Sequence, residues 1–167
     1  DEEISVWISC YIHSLKNCVR YYREIKRPHT IKEYSYNQKD ESSFFQPTKK
    51  TSNKETIEDI IRLIKSINQI PKNNNALPLL IAARHHFGLT DKFLEVCHIC
   101  RNTLMRIYGF AGKSNSTSQS DFQRLAFPVF WSGANKEILK ECFGDKNKQQ
   151  AFNNDTEMIS EIRSDLI

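Results

Sequence analysis

Glycine and proline are scarce, at five residues each in a chain of 167. So few chain breakers leave little room for the many tight turns of a sandwich or barrel and favour long helices. No apolar run approaches the ~18 residues that a membrane-spanning helix needs, so no membrane partner is expected. Several catalytic signatures are missing too. There is no phosphate-cradling glycine loop, no Gly-x-Ser-x-Gly elbow, no His-Glu-x-x-His and no carboxylate cluster of the two-metal kind. Charge of one sign is not concentrated either, the net value being +4. Residues 1–53 carry 9 basic and 7 acidic side chains (+2), residues 54–133 carry 10 and 6 (+4), and residues 134–167 carry 5 and 7 (−2). A mildly basic centre permits contact with nucleic acid but falls well short of a dedicated DNA-binding charge pattern.

What the chain does have is helical periodicity. Apolar residues make up only 39% of it, but Phe (10) and Tyr (6) are plentiful. The predicted fold is all-α, an irregular bundle of about six to seven helices in a single domain over 1–167, with one long, partly mobile loop over 28–53. Residues 3–27 read as one helix, with Trp7, Tyr11, Leu15, Cys18, Tyr22 and Ile25 on its apolar face, widened by Ile4, Ile8, Ile12 and Val19, and stopped at Pro28. In the 28–53 loop, Tyr34, Tyr36 and Phe44 are the residues expected to pack. A helix over 54–69 with Ile57, Ile60, Ile61, Leu63, Ile64 and Ile67 ends before Pro71.

The stretch Ala76–Ser132 organises the rest. Pro78 fits a first helical turn and Gly88 a helix end. Thr90 and Asp91 suit the start of the next helix, whose stripe is Phe93, Val96, Cys97, Cys100, Leu104, Ile107 and Tyr108, ended by Gly109 and Gly112. After the polar loop Lys113–Ser118, a helix capped by Ser118 or Ser120 carries Phe122, Leu125, Ala126, Val129 and Phe130, with a kink or break predicted at Pro128. A short helix with Ile138, Leu139, Cys142 and Phe143 follows. Asn154 or Asp155 then caps a last amphipathic helix with Met158, Ile159, Ile162 and Leu166. The opening Asp1-Glu2-Glu3, without Met, and the stop at Ile167 within a helix predict a piece of a longer chain.

Candidate chemistry is sparse. Cys97-His98-Ile99-Cys100 is the one metal-like string, but it falls mid-helix and has no second pair, so packing is the better reading and no metal is expected in this chain. The odd count of five cysteines reads as reduced, buried thiols of a cytoplasmic protein. Adjacent His85 and His86 point to different sides of a helix, so a cap or surface role is expected rather than catalysis. Arg23 and His29 are spaced somewhat like the pair of HEPN-type helical ribonucleases, but Pro28 breaks the helix between them and Glu24 replaces the usual polar residue. A DNA-backbone contact would come from Arg84, Arg101, Arg106, Lys113 and Arg124, together with loop amides near Ser114–Ser118, because phosphate contact needs only charge and reach. Ordinary solvated charges are the competing reading.

Several strings in this stretch carry a family resemblance. They are Leu77-Pro78-Leu79-Leu80, Phe93-Leu94, Leu104-Met105-Arg106-Ile107-Tyr108-Gly109, Lys113-Ser114-Asn115 and Phe122-Gln123-Arg124-Leu125-Ala126, with Trp7 and Tyr21-Tyr22 fitting loosely. They resemble the helical region of GmrSD-type modification-dependent (type IV) restriction endonucleases. The resemblance implies a place between a ParB-like nucleotide-binding domain, marked by Asp-Gly-Gln-Gln-Arg, and a His-Asn-His-like nuclease. Neither signature occurs in this sequence. It therefore implies a chain with no catalytic residue and no cofactor of its own, whose partners are those flanking domains and whose target is DNA. Nucleotide and divalent metal would belong to the parent protein. Arg106 matches the family's arginine and is expected to cap helix carbonyls or meet a phosphate. The alternative is a helical protein-interaction module unrelated to DNA, and a helical ribonuclease is a third reading. The sequence carries no signal for oligomeric state.

Overall fold

A computed structural model describes residues 2–31, 53–111, 119–132 and 154–166. Among these residues the architecture is an all-α irregular bundle, as the periodicity predicts. Its helices are α1 (Glu2–Lys26), α2 (Lys54–Asn68), α3 (Leu77–Phe87), α4 (Asp91–Leu104), α5 (Gln119–Ser132) and α6 (Asp155–Leu166). Short 3-10 turns occupy Pro28–Thr30 and Asn73–Ala76, and a π-helical turn occupies Met105–Phe110. The predicted loop over 28–53 begins with the first of these turns, and its remainder over 32–52 lies outside the described residues. So do Lys113 and the predicted short helix around Ile138–Phe143.

Local signals set most of the ends. Pro28 lacks the N–H to continue α1 and opens the 3-10 turn instead. Asn53 caps α2, its side-chain oxygen accepting from Thr56 N at 2.9 Å, and Asn154 caps α6 through Glu157 N at 2.9 Å. Gly88, with φ 69°, turns the chain out of α3 in a conformation that an L side chain resists. Thr90 stands at the start of α4 but does not cap it. Its hydroxyl donates to Phe87 O at 3.0 Å, and Asp91 in the first turn accepts from Thr56 Oγ1 at 2.8 Å. Beyond α2, Asn73 Nδ2 donates to Asn68 O and Ile70 O (3.1 and 2.9 Å), satisfying carbonyls that the helix end leaves open.

The core is built round α3. This 11-residue helix is apolar on nearly every side, and Leu79, Leu80, Ala82, Ala83 and Phe87 are all buried. It packs most extensively on α5, with α1 and α4 on its other sides, while α4 is covered in turn by α2 and α6. From these helices come Ile60, Ile64 and Ile67 of α2, Phe93, Val96 and Leu104 of α4, Phe122, Leu125 and Val129 of α5, and Met158 and Ile162 of α6, all buried. Each such side chain contributes about 1.5–3 kcal/mol on leaving water. The face of α2 is the predicted one, as are those of α4, α5 and α6.

Two points refine the expectations. Of the kink or break predicted at Pro128, the break does not occur: Pro128 sits inside α5, and the helix runs through it to Ser132, whose hydroxyl donates to Pro128 O at 2.8 Å. One backbone hydrogen bond is forfeited there, and burial of Phe122, Leu125 and Val129 against the core holds the helix across it. The second point concerns α1. Its core-facing residues are Tyr21, Ile25, Asn17 and Glu24, whereas Ile12, Leu15, Val19 and Tyr22 are exposed. The sequence is apolar on most sides of this helix, so periodicity alone could not choose which side the bundle covers.

Candidate functional site

Among the described residues, the richest concentration of polar chemistry lies where α1 meets α3 and α5. Glu24 is buried, at 1% exposure, and accepts from Arg84 Nε at 2.8 Å. Arg20 Nε stands 3.8 Å from the other carboxylate oxygen, close enough for charge attraction but not for a hydrogen bond. Both guanidinium groups lie against the Tyr21 ring, at 4.8 Å (Arg20) and 5.0 Å (Arg84) from its centroid, and Arg20 Nη2 donates to the Tyr21 hydroxyl at 3.1 Å. Burial pushes the Tyr21 phenol above its ordinary value against the opposing pull of Arg84 and Arg20. The contact between α1 and α3 thus brings a carboxylate, two guanidiniums and a phenol together, with the two cations sharing one buried anion.

His85 completes the cluster. Its ring stacks on Phe130 (4.8 Å, 29°) and meets Tyr21 edge-on (5.9 Å, 60°). Burial, and then the charges of His86, Arg84 and Arg20, lower its pKa to about 4, so it is neutral at pH 7. The surface or capping role read from the sequence is therefore corrected: His85 is a core residue. His86 points elsewhere, as adjacent helical positions must, with Nε2 2.9 Å from Asp155 Oδ1 at the start of α6. Lys92 holds the other oxygen of Asp155. Burial raises the Asp155 carboxyl, but the hydrogen bonds and charges of Lys92 and His86 outweigh it, leaving the group below its ordinary value.

The arginines proposed for phosphate contact fall at three separate places. Arg84 belongs to the buried cluster. Arg101 on α4 donates from Nε to Ser66 Oγ of α2 at 2.8 Å. Arg106 and Arg124 both reach the far end of α6: Arg106 Nη2 donates to Leu166 O at 2.6 Å, beside the Thr103 hydroxyl at 3.1 Å, and Arg124 Nη2 to Asp165 Oδ2 at 2.7 Å. Arg106 thus caps a helix carbonyl, but of α6 rather than of its own helix. Each of the four is engaged with a different acceptor: Glu24, Ser66, Leu166 and Asp165. Lys113 and the amides near Ser114–Ser118 lie outside the described residues.

Cys97 and Cys100 are both buried, and burial raises both thiols, Cys100 to about 12. Their spacing serves the α4 core face, and among the described residues no three His, Cys, Asp or Glu side chains are grouped to hold a metal ion. No helix among them is long and apolar enough to cross a membrane. Arg23 belongs to α1 and His29 to the 3-10 turn after it, and Glu24, next to Arg23, is turned into the cluster with Arg84. Sequence reasoning missed that pairing. The available signal was Glu24 itself, the one acidic residue in a run containing Arg20, Arg23, Lys26 and Arg27. No protein-family model, curated protein or solved structure matches this chain.

Proposed function

We propose that this chain is a non-catalytic helical linking and regulatory region of a DNA-targeting defence nuclease of the modification-dependent kind. In that role it holds a nucleotide-binding domain and a nuclease domain in fixed relation. The resemblance of Ala76–Ser132 supplies the family. The observation that supports a scaffold role is the use of the arginines. Arg84, Arg101, Arg106 and Arg124 each join helices that are far apart in sequence, to Glu24, Ser66, Leu166 and Asp165. Guanidinium groups spent on internal joints stiffen the bundle, as a spacer between two working domains requires.

The test is fluorescence anisotropy of the chain with labelled duplex DNA across a salt series. A scaffold gives no saturable binding at low salt. Binding that weakens steeply with salt, and that Arg106→Ala reduces, would replace the scaffold reading with direct phosphate contact. The flanking gene sequence is a second check. Absence of both the Asp-Gly-Gln-Gln-Arg and the His-Asn-His signatures would remove the nuclease assignment. It would leave a helical protein-interaction module unrelated to DNA, a reading that the exposed apolar residues of α1 favour.

A further inference from the structure

Two atoms of the cluster between α1 and α3 make no hydrogen bond. Glu24 Oε1 and Arg20 Nε are both shut off from solvent, face each other at 3.8 Å and have no partner at bonding distance. Buried polar atoms are nearly always paired, and leaving one unpaired costs most when the group is charged. Two such atoms side by side therefore mark a place where a further group completes the bonding. Their needs are opposite. The carboxylate oxygen requires a donor, and the guanidinium N–H requires an acceptor. One hydroxyl oxygen beside the line between them, within about 3 Å of each, serves both.

Charge narrows the choice. Among the described residues Glu24 is the one anion paired with Arg20 and with Arg84, so the cluster holds one positive charge in excess. Both guanidinium groups lie against the Tyr21 ring, and each makes a single hydrogen bond, Arg84 Nε to Glu24 and Arg20 Nη2 to the Tyr21 hydroxyl. Their other N–H groups suit an oxyanion, which a fixed guanidinium fork binds through two oxygens. A water or an alcohol satisfies the two unpaired atoms but not the charge. Sulfate satisfies the charge but sets its lone pairs against Glu24 Oε1. An oxyanion that keeps a hydroxyl answers both needs. We infer that the cluster binds inorganic hydrogen phosphate, whose P–OH donates to Glu24 Oε1 while its oxygens accept from Arg20 and Arg84. Entry is by way of Arg20. Its hydrogen bond, ion pair and ring contact all lie within α1, and its side chain is 14% exposed, so it can swing aside while Arg84 keeps α1 joined to α3. A phosphodiester has no P–OH, and a phosphomonoester, with a second pKa of about 6, has mostly lost its own at pH 7, so nucleic-acid backbones and nucleotide ends are disfavoured. The site does not depend on the DNA-defence reading.

The experiment is isothermal titration of the whole chain at pH 7 and fixed ionic strength with inorganic phosphate, and separately with sulfate, which has the same shape but no proton to give. Saturable binding of phosphate at one site is expected, with sulfate at least about tenfold weaker. Arg20→Gln, whose contacts on α1 leave the bundle folded by circular dichroism, should weaken phosphate by a similar factor. Glu24→Gln presents an amide N–H in place of the carboxylate oxygen and should shift the preference towards sulfate, an outcome that misfolding cannot mimic. If that variant does not fold, the comparison of the two anions on the native chain and the Arg20→Gln result decide the matter. The inference fails if phosphate does not bind, if sulfate binds the native chain as tightly, or if Arg20→Gln leaves binding intact. Absence of binding would leave the two atoms to a bridging water. Binding of a nucleoside triphosphate or of duplex DNA that is tighter than that of phosphate and lost in Arg20→Gln would give the site to another ligand and overturn the inference.

Discussion

Replacing Glu24 by Ala should be among the most damaging single changes in this bundle. The carboxylate is 1% exposed, and its partner Arg84, bound at 2.8 Å, has a side chain 12% exposed. Removing it leaves Arg84 and Arg20 against the Tyr21 ring with no anion beside them. Truncating one member of a buried ion pair costs about 3–5 kcal/mol, because the other charge is left unpaired away from water. The second cation pushes towards the upper end of that range. The slight solvent access of Arg20, 14% by side chain, pushes towards the lower. For a chain of 167 residues each kcal/mol is worth about 2–4 °C in Tm, so a fall of roughly 6–20 °C is expected. The informative comparison is a cycle of the native chain, Glu24→Leu, Arg84→Met and the double variant Glu24→Leu/Arg84→Met. Taking both charges away removes most of the desolvation burden together with the attraction and leaves only the partly exposed Arg20 without its anion, so the double variant should lose clearly less than the sum of the two single changes. Urea unfolding followed by circular dichroism at pH 7, with unchanged slope, provides the four free energies. Additive single losses, or a Glu24→Ala loss below about 1 kcal/mol, would refute the claim that this pair joins α1 to α3.

Three further outcomes follow from the geometry. His85 titrates at about 4 in the fold against 6.5 in the open chain, so the unfolded state binds the proton first as pH falls. Stability is therefore full above about pH 6.5 and declines towards pH 4, by about 3 kcal/mol, and His85→Gln should flatten that part of the pH profile. Leu104, fully buried on α4, should cost about 2–5 kcal/mol when cut to Ala, and a loss under about 1 kcal/mol on urea melting would show that the α4 core face is misassigned. Cys97 and Cys100 should resist a thiol-specific reagent at pH 8 until urea unfolds the chain, because burial raises both thiols and shields them. Rapid labelling of either in the folded chain would contradict their packing.

The sequence by itself determined where most helices lie and how several of them end. Pro28, Asn53, Gly88 and Asn154 act through hydrogen bonds or steric limits within a few residues, so their effects are present before any helix packs. It also determined the inner faces of α2, α4, α5 and α6, since each has apolar residues mainly on one side. Tertiary structure decided the rest. α1 is apolar on most sides, so only its neighbours fixed that Tyr21 and Ile25 face inward and Ile12, Leu15, Val19 and Tyr22 outward. Pro128 is carried inside α5 because burial of that helix outweighs one missing hydrogen bond. The arginines looked alike along the chain, and what each does depends on an acceptor some 35 to 60 residues away: Glu24 for Arg84, Ser66 for Arg101, Leu166 for Arg106 and Asp165 for Arg124. Pairing over that separation leaves no periodic trace in a sequence, because it needs only one residue at each end and a fold that brings them together.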